Sequence, residues 1–78
     1  MDRLDMAIAL IEEAQEERNR LIAYKREYEK ARVKDNEDPN SFYKHRGEVD
    51  KAFTPTPHKS KVNDNLKMAR RIILGEYM

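Results

Sequence analysis

The sequence predicts an all-α protein with one long N-terminal helix followed by two shorter helices. Residues 2–34 contain neither Gly nor Pro and consist mostly of strong helix formers. Apolar residues recur at helical spacing in three segments, and no segment shows the alternation typical of a strand. We expect a helical hairpin or three-helix bundle that forms a single small domain over residues 1–78. Dimerisation through the long helix is an open alternative.

The first helix is predicted over about residues 2–34. Acidic residues at its start and basic residues at its end complement the helix dipole. Its apolar side chains form a heptad-like stripe that Arg18 and Lys25 interrupt. The stripe predicts a surface for core packing or for contact with another chain, consisting of Leu4, Ile8, Ile11, Leu21, Ile22 and Tyr28.

The second helix is predicted over about residues 39–53, after a connector near 35–38. Pro39 fits the first helical position, and Asp38 before it fits the N-cap. Phe42, Val49 and Phe53 recur at helical spacing, which indicates that they share an apolar face. Gly47 inside this segment weakens the helix by about 1 kcal/mol relative to Ala.

The third helix is predicted over about residues 60–74, after a proline-containing connector near 54–59. Two Thr-Pro pairs make this connector extended, since each Pro restricts its own backbone and that of the residue before it. Ser60 is the expected N-cap. Gly75 follows the last apolar residue of the helix and is the expected C-cap.

Composition excludes several classes of function. The chain has no Cys, which excludes a disulfide scaffold and a thiolate nucleophile, and two Gly, which excludes a glycine-rich phosphate loop. It has no apolar run of about 18 residues and no N-terminal signal pattern, so we expect a cytoplasmic protein outside the membrane. His45 and His58 lack metal-ligand spacing, and Ser41 and Ser60 fit caps better than nucleophiles. We therefore expect no metal, no cofactor, no small-molecule substrate and no enzymatic activity.

An acidic run on the first helix has two interpretations. It comprises Glu12, Glu13, Glu16 and Glu17. One interpretation is an ordinary solvated helix face. The other is a patch that faces a basic partner, because Glu12–Glu16 and Glu13–Glu17 are like-charge pairs that disfavour the isolated helix.

Basic residues are concentrated in the third helix. They are Lys59, Lys61, Lys67, Arg70 and Arg71. Residues 1–37 carry a net charge of −2 and residues 38–78 carry +3. This basic helix either contacts nucleic-acid phosphates or forms a solvated face.

The leading functional hypothesis is a small non-enzymatic interaction protein that inhibits, recruits or scaffolds a macromolecular partner. Its amphipathic helices exceed what so small a core can cover, which favours a homodimer or a hetero-complex with another protein. The alternative hypothesis is a nucleic-acid-binding regulator that uses the basic third helix. In size and in its Glu/Lys-rich helical composition the chain resembles the small accessory proteins that phages and mobile elements encode, although no motif carries this resemblance.

Overall fold

The structure, a computed structural model, describes residues 2–75 and contains three helices. These are α1 (Arg3–Glu37), α2 (Lys44–Ala52) and α3 (Lys59–Leu74), and no strand occurs among the described residues. The all-α prediction is therefore confirmed. The chain divides into two compact units that share α1. The terminal unit contains the described residues up to Asn19 and from His58 onward, and the central unit contains Arg20–Pro57.

In the terminal unit, the first half of α1 packs against α3. The Arg3 guanidinium donates a hydrogen bond to the Ile72 carbonyl at 3.1 Å, and the Asn65 amide donates to the Leu10 carbonyl at 3.5 Å. The two residue numbers of each pair add up to 75. The two helical segments therefore run antiparallel in a defined register.

The core of the terminal unit is built from small side chains. Ala7, Ala69 and Ile72 are buried together, with Leu10 and Met68 packed against them. Alanine at these positions lets two helix backbones approach closely, since no long side chain separates them. No large side chain in the described part of the chain is fully buried. Several large apolar side chains of this unit, among them Leu4, Ile8 and Ile73, therefore stay exposed.

In the central unit, the second half of α1 packs against α2. Tyr24 lies at the centre of this contact, with its ring 5.6 Å from the rings of both Tyr28 and Phe53. The Phe53 ring meets it edge-on, an arrangement that aromatic pairs favour. Ala31 and Asp35 are buried on the same half of α1, four residues apart.

The predicted start of α2 is wrong, because residues 39–43 form turns and the helix begins at Lys44. Asp38 does not cap α2; its carboxylate accepts a hydrogen bond from the Asn40 N–H at 3.0 Å within the turn. Phe42 lies outside the helix with a φ of 48° and is exposed, so it does not share the apolar face of α2.

The third helix is confirmed, with one correction at its N-terminus. It begins at Lys59, with His58 in extended conformation as the N-cap, so Ser60 lies in the first turn. Gly75 is the C-cap, as predicted, with a φ of 73°. Its N–H donates to the carbonyls of Arg71 and Ile72 and so satisfies groups that a helix C-terminus leaves open.

Candidate functional site

The candidate site is an apolar face of the terminal unit that its own core leaves uncovered. We call it the exposed apolar face. Each of its side chains has between 40% and 61% of its surface exposed. They are Leu4, Ile8 and Ile11 on α1, and Leu66, Ile73 and Leu74 on α3.

The register of the two helices creates this face. Ile11 directly follows the packed Leu10, and Ile73 directly follows the buried Ile72. One residue turns a helix by about 100°, so both side chains lie beside the packed face instead of within it. Because α1 and α3 run antiparallel, this turn brings both side chains to the same side of the unit. The two helices therefore enclose a shallow groove between their exposed apolar side chains.

The groove is lined almost entirely by carbon. Ile11 and Leu66 line its whole length, with Ala69 and Ile73 toward one end. Arg70 borders that end, and Gln15 and Arg18 border the other. An open apolar groove with charged groups only at its edges suits the apolar stripe of a helix.

The stripe predicted from the sequence is only partly buried within the chain. Leu4, Ile8, Ile11 and Ile22 are exposed, and Leu21 and Tyr28 are half-buried. The first four are therefore not part of the intrachain core. Their contact with another chain stays a prediction.

The acidic run does not form one surface. Glu17 is 6% exposed, and its Oε2 atom accepts a hydrogen bond from the His58 N–H at 3.3 Å. This carboxylate therefore acts at the N-terminus of α3 within the chain. Glu13 lies 3.6 Å from the Lys61 ammonium group. Glu12 and Glu16 are exposed on another side of α1, and Glu13 is exposed as well.

The basic residues of α3 are also divided. Lys61 faces α1, where it pairs with Glu13. The other four are exposed, as Lys61 is, and they lie, at 100° per residue, within roughly a third of the helix circumference. These four are Lys59, Lys67, Arg70 and Arg71.

Asp35 accepts several hydrogen bonds in the central unit, and the sequence analysis did not single it out. Its carboxylate accepts hydrogen bonds from the N–H groups of His45 and Arg46 at 3.0 and 3.2 Å. It also accepts one from the Arg46 guanidinium at 2.9 Å and one from the Ser41 hydroxyl at 3.1 Å. Asp35 is thus a capping group for α2, supplied from α1, and Ser41 is its buried partner.

The electrostatics of Asp35 follow from these contacts. Burial alone raises the pKa of a carboxyl group, because it disfavours the charged form. Here the hydrogen bonds from Arg46, the two N–H groups and Ser41 outweigh burial and lower the Asp35 pKa to about 2. The Arg46 guanidinium is held on its other side by the Tyr43 ring, 3.9 Å from the ring centroid. The side chains of this cluster are therefore engaged in contacts that stabilise the fold.

A second polar contact links α1 to α2 through Tyr24. Its hydroxyl donates a hydrogen bond to the Asp50 carboxylate at 2.5 Å. This hydrogen bond, with burial and the Asp50 charge adding to it, raises the pKa of Tyr24 to about 12. The contact keeps the Tyr24 hydroxyl protonated and fixes the position of α2 on α1.

The described part of the chain offers few groups for chemistry. Every buried side-chain nitrogen or oxygen among residues 2–75 has a hydrogen-bond partner. Within the same residues, no group of three or more His, Asp or Glu side chains is placed to hold a metal ion. None of the three helices has the length and apolar character needed to cross a membrane.

No family model, curated protein or solved structure matches this chain.

Proposed function

We propose that this protein is a non-enzymatic interaction module that binds a macromolecular partner through the exposed apolar face. The observation that carries the proposal is the exposed apolar face itself, whose six residues are between 40% and 61% exposed. Four of them line the groove between α1 and α3, namely Ile11, Leu66, Ile73 and Leu74. Single exposed apolar residues are ordinary on protein surfaces, whereas contiguous ones mark binding sites.

The groove favours a protein partner over a small molecule. It is open and shallow, and its few polar groups lie at the ends. Small-molecule sites instead enclose most of the ligand and orient it with convergent polar groups. A partner helix that places residues at i, i+4 and i+7 against the face matches the spacing of Leu4, Ile8 and Ile11.

The polar clusters support a non-enzymatic role. Asp35, Ser41 and Glu17 are the buried polar residues among residues 2–75, and each holds a helix terminus or a turn. A general base or a nucleophile needs a reactive group aimed at a substrate position. The hydrogen-bonding capacity of these side chains is already used within the fold.

The proposal is tested with two tagged variants expressed in the native host. Ile73→Asp places a charge on the exposed apolar face, and Val33→Asp makes the same kind of change at a site of similar exposure in the central unit. After crosslinking, we expect Ile73→Asp to lose the partners that the wild-type protein retains, while Val33→Asp keeps them. Equal retention by both variants, with native helical circular dichroism, would contradict the proposal.

The second candidate function is nucleic-acid binding through the outer side of α3. It is supported by the grouping of Lys59, Lys67, Arg70 and Arg71 on one side of the helix. Binding of this kind weakens steeply with salt, because each contacted phosphate releases a counterion. Lys67→Ala with Arg71→Ala should flatten that salt dependence, whereas Lys61→Ala should change it little. Absence of a complex at low salt and tens of micromolar protein would remove this candidate.

A further inference from the structure

We infer that the occupant of the exposed apolar face is the same face of a second copy of this chain. Two terminal units then pack their four helical segments together around a twofold axis that runs parallel to the helices. This inference rests on the proposed function and names its partner.

The first argument is the charge along the α1 margin of the face. Each residue of a helix is rotated by 100° from the one before it. On this basis, the sector of α1 next to the buried Ala7 contains the apolar residues Leu4, Ile8 and Ile11. The next sector contains Asp5, Glu12 and Glu16, all of them exposed. The margin of the face on the α1 side is therefore acidic.

The second argument is the charge along the α3 margin. Beyond Leu66 and Ile73, this helix carries Lys59 and Arg70, then Asn63 and Leu74, and then Lys67 and Arg71. Asp64, the one acidic residue of α3, follows them farther from the groove. The margin on the α3 side is therefore basic.

A face with one acidic and one basic margin is complementary to itself in one orientation. A twofold axis parallel to the helices places α1 of one copy across α3 of the other, so that acidic margins meet basic ones. A twofold axis across the helices places α1 on α1 and α3 on α3, so that like charges meet. Opposite charges across an interface select the partner and its orientation.

The intrachain register shows which residues meet. Residues of α1 and α3 whose numbers add up to 75 lie at the same height. A parallel twofold axis preserves height, so Asp5 of one copy lies level with Arg70 of the other. Glu12 lies one helical turn from the level of Lys67, within the reach of a lysine side chain. Arg18 falls beyond the N-terminal end of α3 in this register and opposes neither margin.

The composition of the core supports the same occupant. The terminal unit buries three alanines, one valine and one isoleucine, while six leucine and isoleucine side chains form the exposed apolar face. A second copy covers both rows of each chain at once, because a twofold interface uses the same surface twice. Ile73 of one chain then packs close to the α1 row of the other.

Sedimentation equilibrium of the full chain tests the assembly. We expect the wild-type protein to dimerise reversibly and Ile73→Asp to raise the dimer dissociation constant about a hundredfold, because a twofold interface contains each change twice. Val33→Asp should dimerise like the wild-type protein. A wild-type chain that is monomeric at all concentrations overturns the inference.

Charge reversal tests the orientation without touching the apolar rows. Asp5→Lys with Glu12→Lys makes both margins basic, and Lys67→Glu with Arg70→Glu makes both acidic. Each double variant alone should dimerise about tenfold more weakly than the wild-type protein. An equimolar mixture of the two should recover wild-type affinity as a heterodimer. Glu37→Lys with Glu48→Lys is the control for net charge, and it should leave dimerisation unchanged.

The outcomes separate this inference from the proposed function. If the wild-type chain is monomeric but Ile73→Asp still loses host partners that Val33→Asp retains, the face binds a different protein and only the second-copy inference fails. If both variants retain the same partners, the proposed function fails as well. If the chain dimerises but the mixture of charge variants does not recover affinity, the parallel twofold arrangement is wrong.

Discussion

The carboxylate of Glu17, near the middle of α1, accepts a hydrogen bond from the backbone N–H of His58, the N-cap of α3. The His58 side chain itself makes no capping hydrogen bond. A residue 41 positions earlier in the chain therefore satisfies a donor that the helix leaves open. This contact also fixes the register of α3 on α1, and its negative charge lies at the positive end of the α3 dipole.

Glu17→Ala should lower the free energy of unfolding by about 1 kcal/mol, the usual cost of losing an N-cap. Urea denaturation followed by circular dichroism measures this change. The matched control is Glu16→Ala, at the neighbouring exposed position, which should stay within about 0.5 kcal/mol of the wild-type protein. Glu17→Gln keeps an acceptor oxygen and should recover part of the loss. Equal effects of Glu17→Ala and Glu16→Ala would contradict the capping role.

Asp35 makes stability depend on pH in the acid range. Its folded-state pKa is about 2, below the value of about 3.9 for an unperturbed aspartate. A lowered pKa means that the ionised Asp35 carboxylate stabilises the fold. This stabilisation is complete above about pH 4 and is lost as the pH falls through about 2. The melting temperature should therefore fall between pH 6 and pH 2, and it should fall less in the Asp35→Asn variant. Asp64→Asn, at an exposed site on α3, should keep the wild-type decline.

Much of the fold follows from the sequence, but the choice of buried face does not. Helix α1 lacks Gly and Pro, and Gly75 ends α3, so these elements were predictable. The buried α1 positions in the terminal unit include Ala7, Ala14 and Glu17, which carry little hydrophobic signal. Leu4 and Ile8 are more apolar, and the pattern therefore favoured them as core. Close packing of two helices requires small side chains at the contact. A periodic pattern of apolar residues does not reveal that requirement.

The start of α2 could not be predicted because its cap comes from another helix. The sequence offered Asp38 next to Pro39, the local pattern of an N-cap followed by the first helical residue. Asp35 instead binds the N–H groups of His45 and Arg46, so α2 begins later. This contact depends on tertiary structure. The sequence could indicate apolar residues of the exposed apolar face but not the groove between them, since the groove requires the antiparallel register of α1 and α3.

Tyr24 should ionise at a higher pH than an ordinary tyrosine. Its pKa is raised to about 12 by the hydrogen bond to Asp50, so the stabilisation it provides is complete below about pH 10 and is lost as the pH rises through about 12. An ultraviolet absorbance titration should show a late phase that Tyr24→Phe removes. The matched control is Tyr43→Phe, at a side chain that is 67% exposed. Survival of the late phase in Tyr24→Phe would contradict the assignment.

Ala69→Leu should disrupt the close contact between α1 and α3. Ala69 is 2% exposed and packs against Ala7, so a longer side chain has no space unless the helices separate. Overpacking of this kind lowers the free energy of unfolding by about 1–3 kcal/mol. Ala9→Leu makes the same change at an exposed position of α1 and should have an effect within about 0.5 kcal/mol. Urea denaturation of the two variants checks the difference.

The two glycines should respond to alanine with opposite signs. Gly75 has a φ of 73°, and a β-carbon there would lie 3.3 Å from the Arg3 guanidinium, which donates to the Ile72 carbonyl. Gly75→Ala should therefore lower the free energy of unfolding by about 1–2 kcal/mol, the cost of a left-handed conformation for a residue with a side chain. Gly47 lies inside α2 with open space around it, so Gly47→Ala should raise that energy by about 0.5–1 kcal/mol. Urea denaturation measures both changes. Stabilisation by Gly75→Ala would show that α3 does not end in the left-handed cap.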